Sequence, residues 1–186
     1  MANYYSDHPE IGFYLNHPLM ARIVELKEKG FADAKEYDYA PVDLGDAIEN
    51  YKQILDITGD VAANIIEPNS ESVDLEGPHL ENGRMIYASK TYENLDATRK
   101  AGLWGVSMPR RYGGLNLPNT VFSMLSEMIS AADAGFQNIW SLQSVSTRSM
   151  SSVARSSARS ISPAFAPVRV CLWTSRSPMP VPTCSA

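Results

Sequence analysis

The chain has 186 residues, and its 21 acidic and 16 basic side chains give a net charge of −5. This length fits one domain of ordinary size with additions, and without a run of about 18 apolar residues no membrane span is expected. All 21 acids lie in residues 1–143, whereas residues 144–186 carry five arginines and no acid, an asymmetry typical of a tail or of a junction between unlike segments.

Residues 1–40 are predicted to form an N-terminal arm with one short helix. Pro9 and Pro18 favour an extended path through the first part of the arm, with its aromatic side chains packed on a core further along the chain. The spacing over residues 19–29 predicts an amphipathic helix, which Gly30 would end. The face of this helix that is predicted to be buried carries Leu19, Ile23 and Leu26.

Residues 41–143 are predicted to form a helical domain. The strongest periodicity runs from Asp43 to about Glu67, where apolar residues recur at steps of three and four, as on one face of an α-helix. Asp43 is the expected N-cap of this helix, and Pro68 is expected to end it. Gly59 lies inside the pattern and weakens the middle of the helix by roughly 1 kcal/mol relative to alanine.

The stretch that follows, residues 68–90, is predicted to be irregular apart from one hairpin. Asn82-Gly83 is typical of a type I′ turn, and this turn would let His79-Leu80 pair with Met85-Ile86-Tyr87. The hairpin is therefore the only β structure that the sequence favours.

Two more helices are predicted after the hairpin, with a loop between them. The first runs from about Thr91 to Lys100, and Gly102 begins a loop, punctuated by glycine and proline, that reaches Pro118. The second begins with Asn119 as its N-cap and has a broad apolar face.

A last apolar segment covers residues 136–142, after a break at Asp133-Ala134-Gly135. Residues 144–186 are rich in serine, arginine and proline and offer no face to bury, which predicts disorder. The fold class expected from the whole chain is therefore mainly α, with a disordered C-terminal tail.

The residue types that usually carry chemistry are sparse and scattered. His8, His17 and His79 lack the spacing of metal ligands, and Cys171 and Cys184 make neither a metal site nor a disulfide framework. The five arginines of the tail are not clustered and have no interleaved aromatics, so no nucleic-acid binding is expected. No leader segment is visible, and a cytoplasmic, reduced location is predicted.

The loop and the following helix carry a set of motifs in a specific order. They are Ala101-Gly102-Leu103-Trp104-Gly105, Pro109-Arg110-Arg111-Tyr112-Gly113-Gly114-Leu115-Asn116-Leu117-Pro118, Glu127-Met128 and Ser130-Ala131-Ala132-Asp133-Ala134-Gly135-Phe136. As a set, over residues 1–143, they resemble the N-terminal helical domain of FAD-dependent acyl-CoA dehydrogenases. The Tyr-rich arm looks like the longer-chain branch of that family, which carries an N-terminal extension. Asn116 departs from the family, in which glycine is commonest at this position, and Leu103-Trp104 replaces the usual Gly-Trp.

The resemblance implies α,β-dehydrogenation of an acyl-CoA thioester with FAD as the hydride acceptor. In the family the catalytic base lies in a C-terminal helical domain, and most flavin contacts lie in a middle β domain. The chain as written has neither, so no catalytic and no cofactor-binding residue is assigned, and the chain is not expected to turn over alone. An electron-transfer flavoprotein or a similar acceptor and a homo-oligomeric parent enzyme are implied as partners.

Four residues fall where the family lines part of its acyl channel: Phe136, Asn138, Ile139 and Trp140. The alternative is that they are simply core residues. Without the rest of the parent enzyme, the apolar faces on residues 119–132 and 136–142 are expected to stay partly exposed and to cause self-association.

The tail is interpreted as an out-of-frame translation that begins near residue 144. In a frame shifted by one nucleotide, Trp173 with Thr174 forces an aspartate, and Met179 with Pro180 forces an alanine. The codons around them then permit Met-Asp-Leu-Thr-Glu-Pro-Asp-Ala-Gly-Ser-Asp, which contains the flavin-site motif of the family. The alternative from another functional class is a non-catalytic helical interaction module with a basic disordered tail.

Overall fold

A computed structural model describes residues 2–144, and this part of the chain is mainly α-helical, as the sequence predicts. The helices are α1 (Tyr4–Asp7), α2 (Pro9–Leu15), α3 (Leu19–Glu28), α4 (Leu44–Val61), α5 (Glu67–Glu76), α6 (Ser89–Lys100), α7 (Asn119–Ala132) and α8 (Ala134–Ser141). A π-helical turn (Ala62–Ile66) joins α4 to α5, two 3₁₀ turns cover Ala32–Lys35 and Arg110–Tyr112, and the strands are β1 (His79–Glu81) and β2 (Arg84–Ile86). The predicted tail beyond residue 144 lies outside the described residues, so its disorder and its reading frame stay predictions. Within residues 2–144 no helix is long and apolar enough to cross a membrane.

The core forms where α4 and α7 pack against each other, with α8 beside α7. The buried side chains of these three helices include Ala47, Tyr51, Leu55, Val121, Leu125, Met128, Ile129, Phe136 and Trp140. The expectation of a partly exposed apolar face on α7 is therefore wrong for most of its apolar side chains, because α4 covers them. On α8, by contrast, Leu142 just beyond the helix is largely exposed.

The N-terminal arm is helical, which corrects the predicted extended path. Asn3 caps α1 by accepting hydrogen bonds from the backbone N–H groups of Tyr5 and Ser6. Pro9 occupies the first turn of α2, where a missing N–H costs nothing because no helical acceptor exists for it there. The arm therefore folds as short helices that pack on α4.

Gly59 allows the arm to approach α4 closely. Asn3 Nδ2 donates to the backbone carbonyl of Asp56 at 3.1 Å, and Asn64 Nδ2 donates to the carbonyl of Ala2 at 3.0 Å. A Cβ atom at position 59 would come within 2.6 Å of the Tyr5 backbone nitrogen and would also collide with the side chain of Asn3. From the sequence, this glycine is predicted only to weaken the helix. In the structure, the absence of a side chain at Gly59 leaves the space that Asn3 and Tyr5 occupy.

The buried face of α3 differs from the predicted one: of the three predicted residues, only Ile23 is half-buried and packs on the core. Leu19 and Leu26 are 64% and 62% exposed. The buried row is Met20, Val24 and Glu28, spaced four residues apart. The carboxylate of Glu28 binds a buried arginine of the glycine-rich loop, and this contact decides which face of α3 turns inward.

The helix that was expected to end at Pro68 continues to Glu76. The π-helical turn over residues 62–66 changes the hydrogen-bond register just before the proline. Pro68 then falls in the first turn of α5, where its missing N–H is tolerated. Asp43 caps the start of α4 as predicted, with its carboxylate 2.9 Å from the N–H of Asp46.

The predicted hairpin is confirmed, and the structure gives its register. His79 pairs with Ile86 and Leu80 with Met85, and the turn residues Asn82 and Gly83 both have positive φ angles, at 49° and 75°. Two helix starts differ slightly from the predictions. Helix α6 begins at Ser89, and Asn119 is the first helical residue of α7 without a capping hydrogen bond from its side chain.

Replacing Gly59 by alanine is expected to destabilise the protein by roughly 1–3 kcal/mol, because the added methyl group overpacks the contact with α1. The matched control is Gly12→Ala in α2, where a Cβ atom meets nothing within 4 Å. The control should be neutral or stabilising by up to about 1 kcal/mol, since alanine favours helices. Thermal or urea unfolding measures both, and a Gly59→Ala protein as stable as the wild type would contradict the close approach.

Candidate functional site

The glycine-rich loop over residues 102–118 is the most specific sequence feature, and it folds back on itself as a fixed wall of the core. The backbone N–H of Asn116 donates to the carbonyl of Met108, and that of Leu117 donates to the carbonyl of Val106, both at 2.9 Å. Val106, Met108 and Leu117 are buried. These contacts hold both halves of the loop against each other.

The glycines of the loop serve its own packing. A Cβ atom at Gly114 would come within 2.6 Å of the carbonyl oxygen of Gly105 and would also collide with the backbone of Met108. Gly105 and Gly113 have φ angles of 70° and 81°, which other residues rarely adopt. The glycines therefore allow two stretches of the loop backbone to pack directly against each other at Gly114.

Arg110 lies at the centre of the loop and forms a buried ion pair with Glu28 of α3. Nη1 is 2.6 Å from Glu28 Oε2 and Nη2 is 3.1 Å from Oε1, a bidentate geometry. The two side chains are 3% and 1% exposed. Nη1 also contacts Asp33 at 3.1 Å, and Nη2 donates to the carbonyl of Leu115. Burial opposes the charge of Arg110, but the hydrogen bonds and the negative charges of Glu28 and Asp33 outweigh it and raise its pKa.

Several residues around Arg110 adopt left-handed backbone angles to bring its partners together. Lys29, Gly30 and Phe31 have consecutive φ angles of 51°, 67° and 60°, which turn the chain between Glu28 and Asp33. For each non-glycine residue this conformation costs on the order of 1–2 kcal/mol. The ion pair therefore holds a strained turn in place.

Asn116 has the same backbone requirement, with a φ angle of 58°. Its side chain donates to the carbonyl of Lys27 at 3.3 Å, which ties the loop to the end of α3. Asparagine tolerates the left-handed region better than most residues. Asparagine can therefore replace the glycine that is commonest here in acyl-CoA dehydrogenases, because both residues tolerate a positive φ angle.

Tyr51 of α4 lies close enough to this ion pair for both charges to affect the pKa of its hydroxyl. Burial is the main cause that raises the pKa of its hydroxyl well above the ordinary value; Glu28 adds to the shift and Arg110 opposes it. Within the described residues, the hydroxyl of Tyr51 and Nε of Arg110 are buried without a hydrogen-bond partner. Tyr51 therefore stays neutral at ordinary pH and is unsuited to act as a base.

The channel candidates on α8 fall on two faces of the helix. Phe136 and Trp140 are buried in the core, and the Trp140 ring stacks on Phe122 at 5.2 Å between centroids. Asn138 is exposed and Ile139 is half-buried. The structure thus brings two of the four residues to an outer surface and uses the other two as packing.

Helix α8 is anchored to the start of the glycine-rich loop by polar contacts. Trp140 Nε1 donates to the carbonyl of Leu103 at 3.2 Å. The side-chain amide of Gln143 donates to the same carbonyl at 3.3 Å, and its oxygen accepts from the backbone N–H of Gly105 at 2.8 Å. Asp133 caps the helix by accepting from the N–H of Phe136 at 2.9 Å. The outer face of α8 is therefore held rigidly with respect to the loop.

Sequence reasoning missed the residues that fix this arrangement, namely Glu28, Arg110 and Gln143. One signal for Glu28 exists: it continues the apolar row of Met20 and Val24 at a spacing of four, so a charged residue occupies a core position. A buried carboxylate needs a cation, and Arg110 lies inside the specific loop motif.

The described residues contain no cluster with the composition of a metal site. Over residues 2–144, no group of three or more His, Cys, Asp or Glu side chains could hold a metal ion. The tight packing at Gly114 is against backbone atoms of Gly105 and Met108 in the same loop. The resemblance already assigned the flavin contacts to a different domain.

Comparison with known proteins agrees with the fold. Residues 49–155 match the family model of the acyl-CoA dehydrogenase N-terminal domain. The chain is also similar to the 3-methylmercaptopropionyl-CoA dehydrogenase of Ruegeria pomeroyi, with 31% identity over 98 residues. That alignment covers 53% of this chain and 16% of the relative, so the chain spans only a small part of the relative's length.

Replacing Glu28 by glutamine is expected to destabilise the protein by about 3 kcal/mol, because the guanidinium of Arg110 loses its buried counter-charge. Glu25→Gln is the matched control on the same helix, since the Glu25 pair with Arg22 is exposed. The control should cost less than about 1 kcal/mol. Unfolding by urea compares the two variants, and equal losses would show that the buried pair does not hold the loop.

Proposed function

Because this chain belongs to the acyl-CoA dehydrogenase family, we propose that it is the N-terminal helical domain of an FAD-dependent enzyme that dehydrogenates an acyl-CoA thioester between its α and β carbons. The observation that carries the proposal is the family match over residues 49–155 on a helical fold. The proposal includes a cytoplasmic location and a homo-oligomeric parent enzyme whose electrons pass to an electron-transfer flavoprotein or a similar acceptor.

The chain as written is proposed to lack the catalytic machinery of that enzyme. The family places the base and most flavin contacts in later domains, and the alignment reaches only 16% of the relative's length. FAD would supply the hydride acceptor in the complete enzyme. The described residues would instead orient the acyl-CoA substrate. The loop and α8 form a fixed surface against which the other domains of the enzyme could close.

The outer face of α8 is the proposed wall of the acyl channel. Ile139 offers a half-buried apolar side chain, and Asn138 lies exposed on the same helix. Phe136 and Trp140 would act behind them as the packed support that fixes the helix. The relative is named for an acyl-CoA thioester, which supports this substrate class without assigning the acyl group.

The reading frame gives the first test of this proposal. The nucleotide sequence over codons 140–186 should show that one inserted nucleotide restores a frame with the Leu-Thr-Glu-Pro motif. The restored protein should purify with the absorbance of bound flavin and should reduce an artificial electron acceptor with an acyl-CoA. The present 186-residue chain should do neither. A restored protein without flavin or activity, or a frame that lacks the motif, would contradict the proposal.

A second test addresses the channel wall in the frame-restored enzyme. Ile139→Ala should change the ratio of kcat/KM values between short and long acyl-CoA substrates, because removal of a pocket methylene is worth about 1–3 kcal/mol in discrimination. Ile57→Ala, a half-buried residue of α4, is the control and should lower stability without changing the ratio. If both variants leave the ratio unchanged, α8 does not line the channel.

A further inference from the structure

The hairpin of β1 and β2 projects an apolar face that no other described element covers. Leu80 is 72% exposed and Met85 is 57% exposed. Their cross-strand pairing places both side chains on the same face of the ribbon. Tyr87 comes two residues after Met85 and continues this face, and its ring contacts that of Tyr92. A two-stranded ribbon of this size is only marginally stable without a partner.

The base of the hairpin is nevertheless fixed, so its direction is set. The carboxylate of Glu76, at the end of α5, accepts from the backbone N–H and the hydroxyl of Ser89 at 2.9 and 2.8 Å. This contact closes the segment that carries both strands between α5 and α6. The hairpin therefore extends into solvent from a base that is held in a fixed position.

The outer edge of β1 offers free backbone groups. Glu81 and Arg84 flank a two-residue turn, so they form the hydrogen-bonded pair that closes it. Because such pairs alternate along an antiparallel ladder, the N–H and C=O of Leu80 point away from β2. Within residues 2–144 the sheet has two strands only, and no third strand pairs with this edge.

We propose that this edge pairs with β1 of a second copy of the chain, around a two-fold axis at Leu80. In that antiparallel register Leu80 of one copy lies opposite Leu80 of the other, and their backbones exchange two hydrogen bonds. His79 then lies opposite Glu81, once on each side of the axis. The four-stranded sheet joins the Leu80 and Met85 faces of both copies into one apolar surface.

The side chains on either side of the axis favour β1 over β2 for this contact. The same symmetric pairing of β2 about Met85 would place Arg84 opposite Ile86, which leaves each charge without a counter-charge. Pairing through β1 instead places the imidazole of His79 opposite the carboxylate of Glu81 twice, and these two groups can form a hydrogen bond across the strands. Cross-strand pairs of opposite charge stabilise a sheet, and like charges directly opposite destabilise it.

Charge exchange at the edge provides the decisive test, with the full 186-residue chain in analytical ultracentrifugation over a concentration series. The wild type should show a monomer–dimer equilibrium. His79→Glu alone and Glu81→His alone each place like residues opposite one another, and each should weaken dimerisation by roughly tenfold. The double variant that exchanges the two residues restores both pairs and should recover the wild-type constant.

A disulfide test probes the two-fold axis directly. In a background with Cys171→Ser and Cys184→Ser, Leu80→Cys should form a covalent dimer on mild oxidation, because the Cα atoms of such a pair lie about 5.5 Å apart. Leu75→Cys is the control, since Leu75 is more exposed but lies outside the pairing strand. Circular dichroism checks that each variant keeps its helices.

Three results would overturn the proposal. One is a wild-type chain that stays monomeric at every concentration, which would leave the apolar face to a different partner. Another is a double exchange variant that dimerises no better than the single variants. The third is cross-linking of Leu75→Cys as fast as that of Leu80→Cys, which would show random collision. All three are independent of the proposed enzymatic function, since none depends on flavin or acyl-CoA.

Discussion

The bidentate ion pair between Arg110 and Glu28 is the contact on which the position of the glycine-rich loop depends. It joins residues 82 positions apart in the chain, and both side chains are buried. A buried pair of charges contributes less to net stability than its attraction suggests, because both groups lose their hydration. Its larger effect is geometric, since an unpaired charge at either position is strongly disfavoured. The pair therefore selects one orientation of α3 and one path for the loop, and the strained turn from Lys29 to Phe31 is kept as a consequence.

The loop in turn transmits this order to α8. The carbonyl of Leu103 accepts hydrogen bonds from Trp140 and Gln143, and the N–H of Gly105 donates to Gln143. A surface that guides a substrate must be held within a fraction of an ångström, and surfaces on regular elements meet this demand better than mobile loops. The N-terminal arm is thus part of the domain core through Glu28, and its helices also contact α4 through Asn3. The N-terminal extension, which looks like an addition in the sequence, therefore helps to fix the position of α8 on the far side of the loop.

The sequence predicted the features that local chemistry determines. Asp43 caps its helix and Asn82-Gly83 forms the hairpin turn because both signals act over a few residues. The family motifs located the loop, although they did not say why it has its shape. The failures share a different cause. The inward face of α3 is decided by Arg110, and the meaning of Gly59 is decided by the approach of Tyr5, so neither can be read from its neighbours in the chain. The channel candidates on α8 could be placed on their two faces only once Asp133 and Gln143 fixed the start and end of that helix.

The π-helical turn at Ala62–Ile66 also determines the rotational phase of everything after it. An α-helix turns by about 100° per residue, and a π turn accommodates one residue more per turn than the α-helix around it. Helix α5 is therefore rotated relative to the path that a continuous α4 would take, and this rotation directs buried Asn69 towards Asn94 of α6 at 2.8 Å. Removal of a single residue from the turn would leave a straighter helix with a shorter hydrogen-bond ladder. This deletion would also turn Asn69 away from Asn94 and change the direction of the hairpin. The number of residues in the π-helical turn therefore sets the orientation of α5 and of the hairpin that follows it.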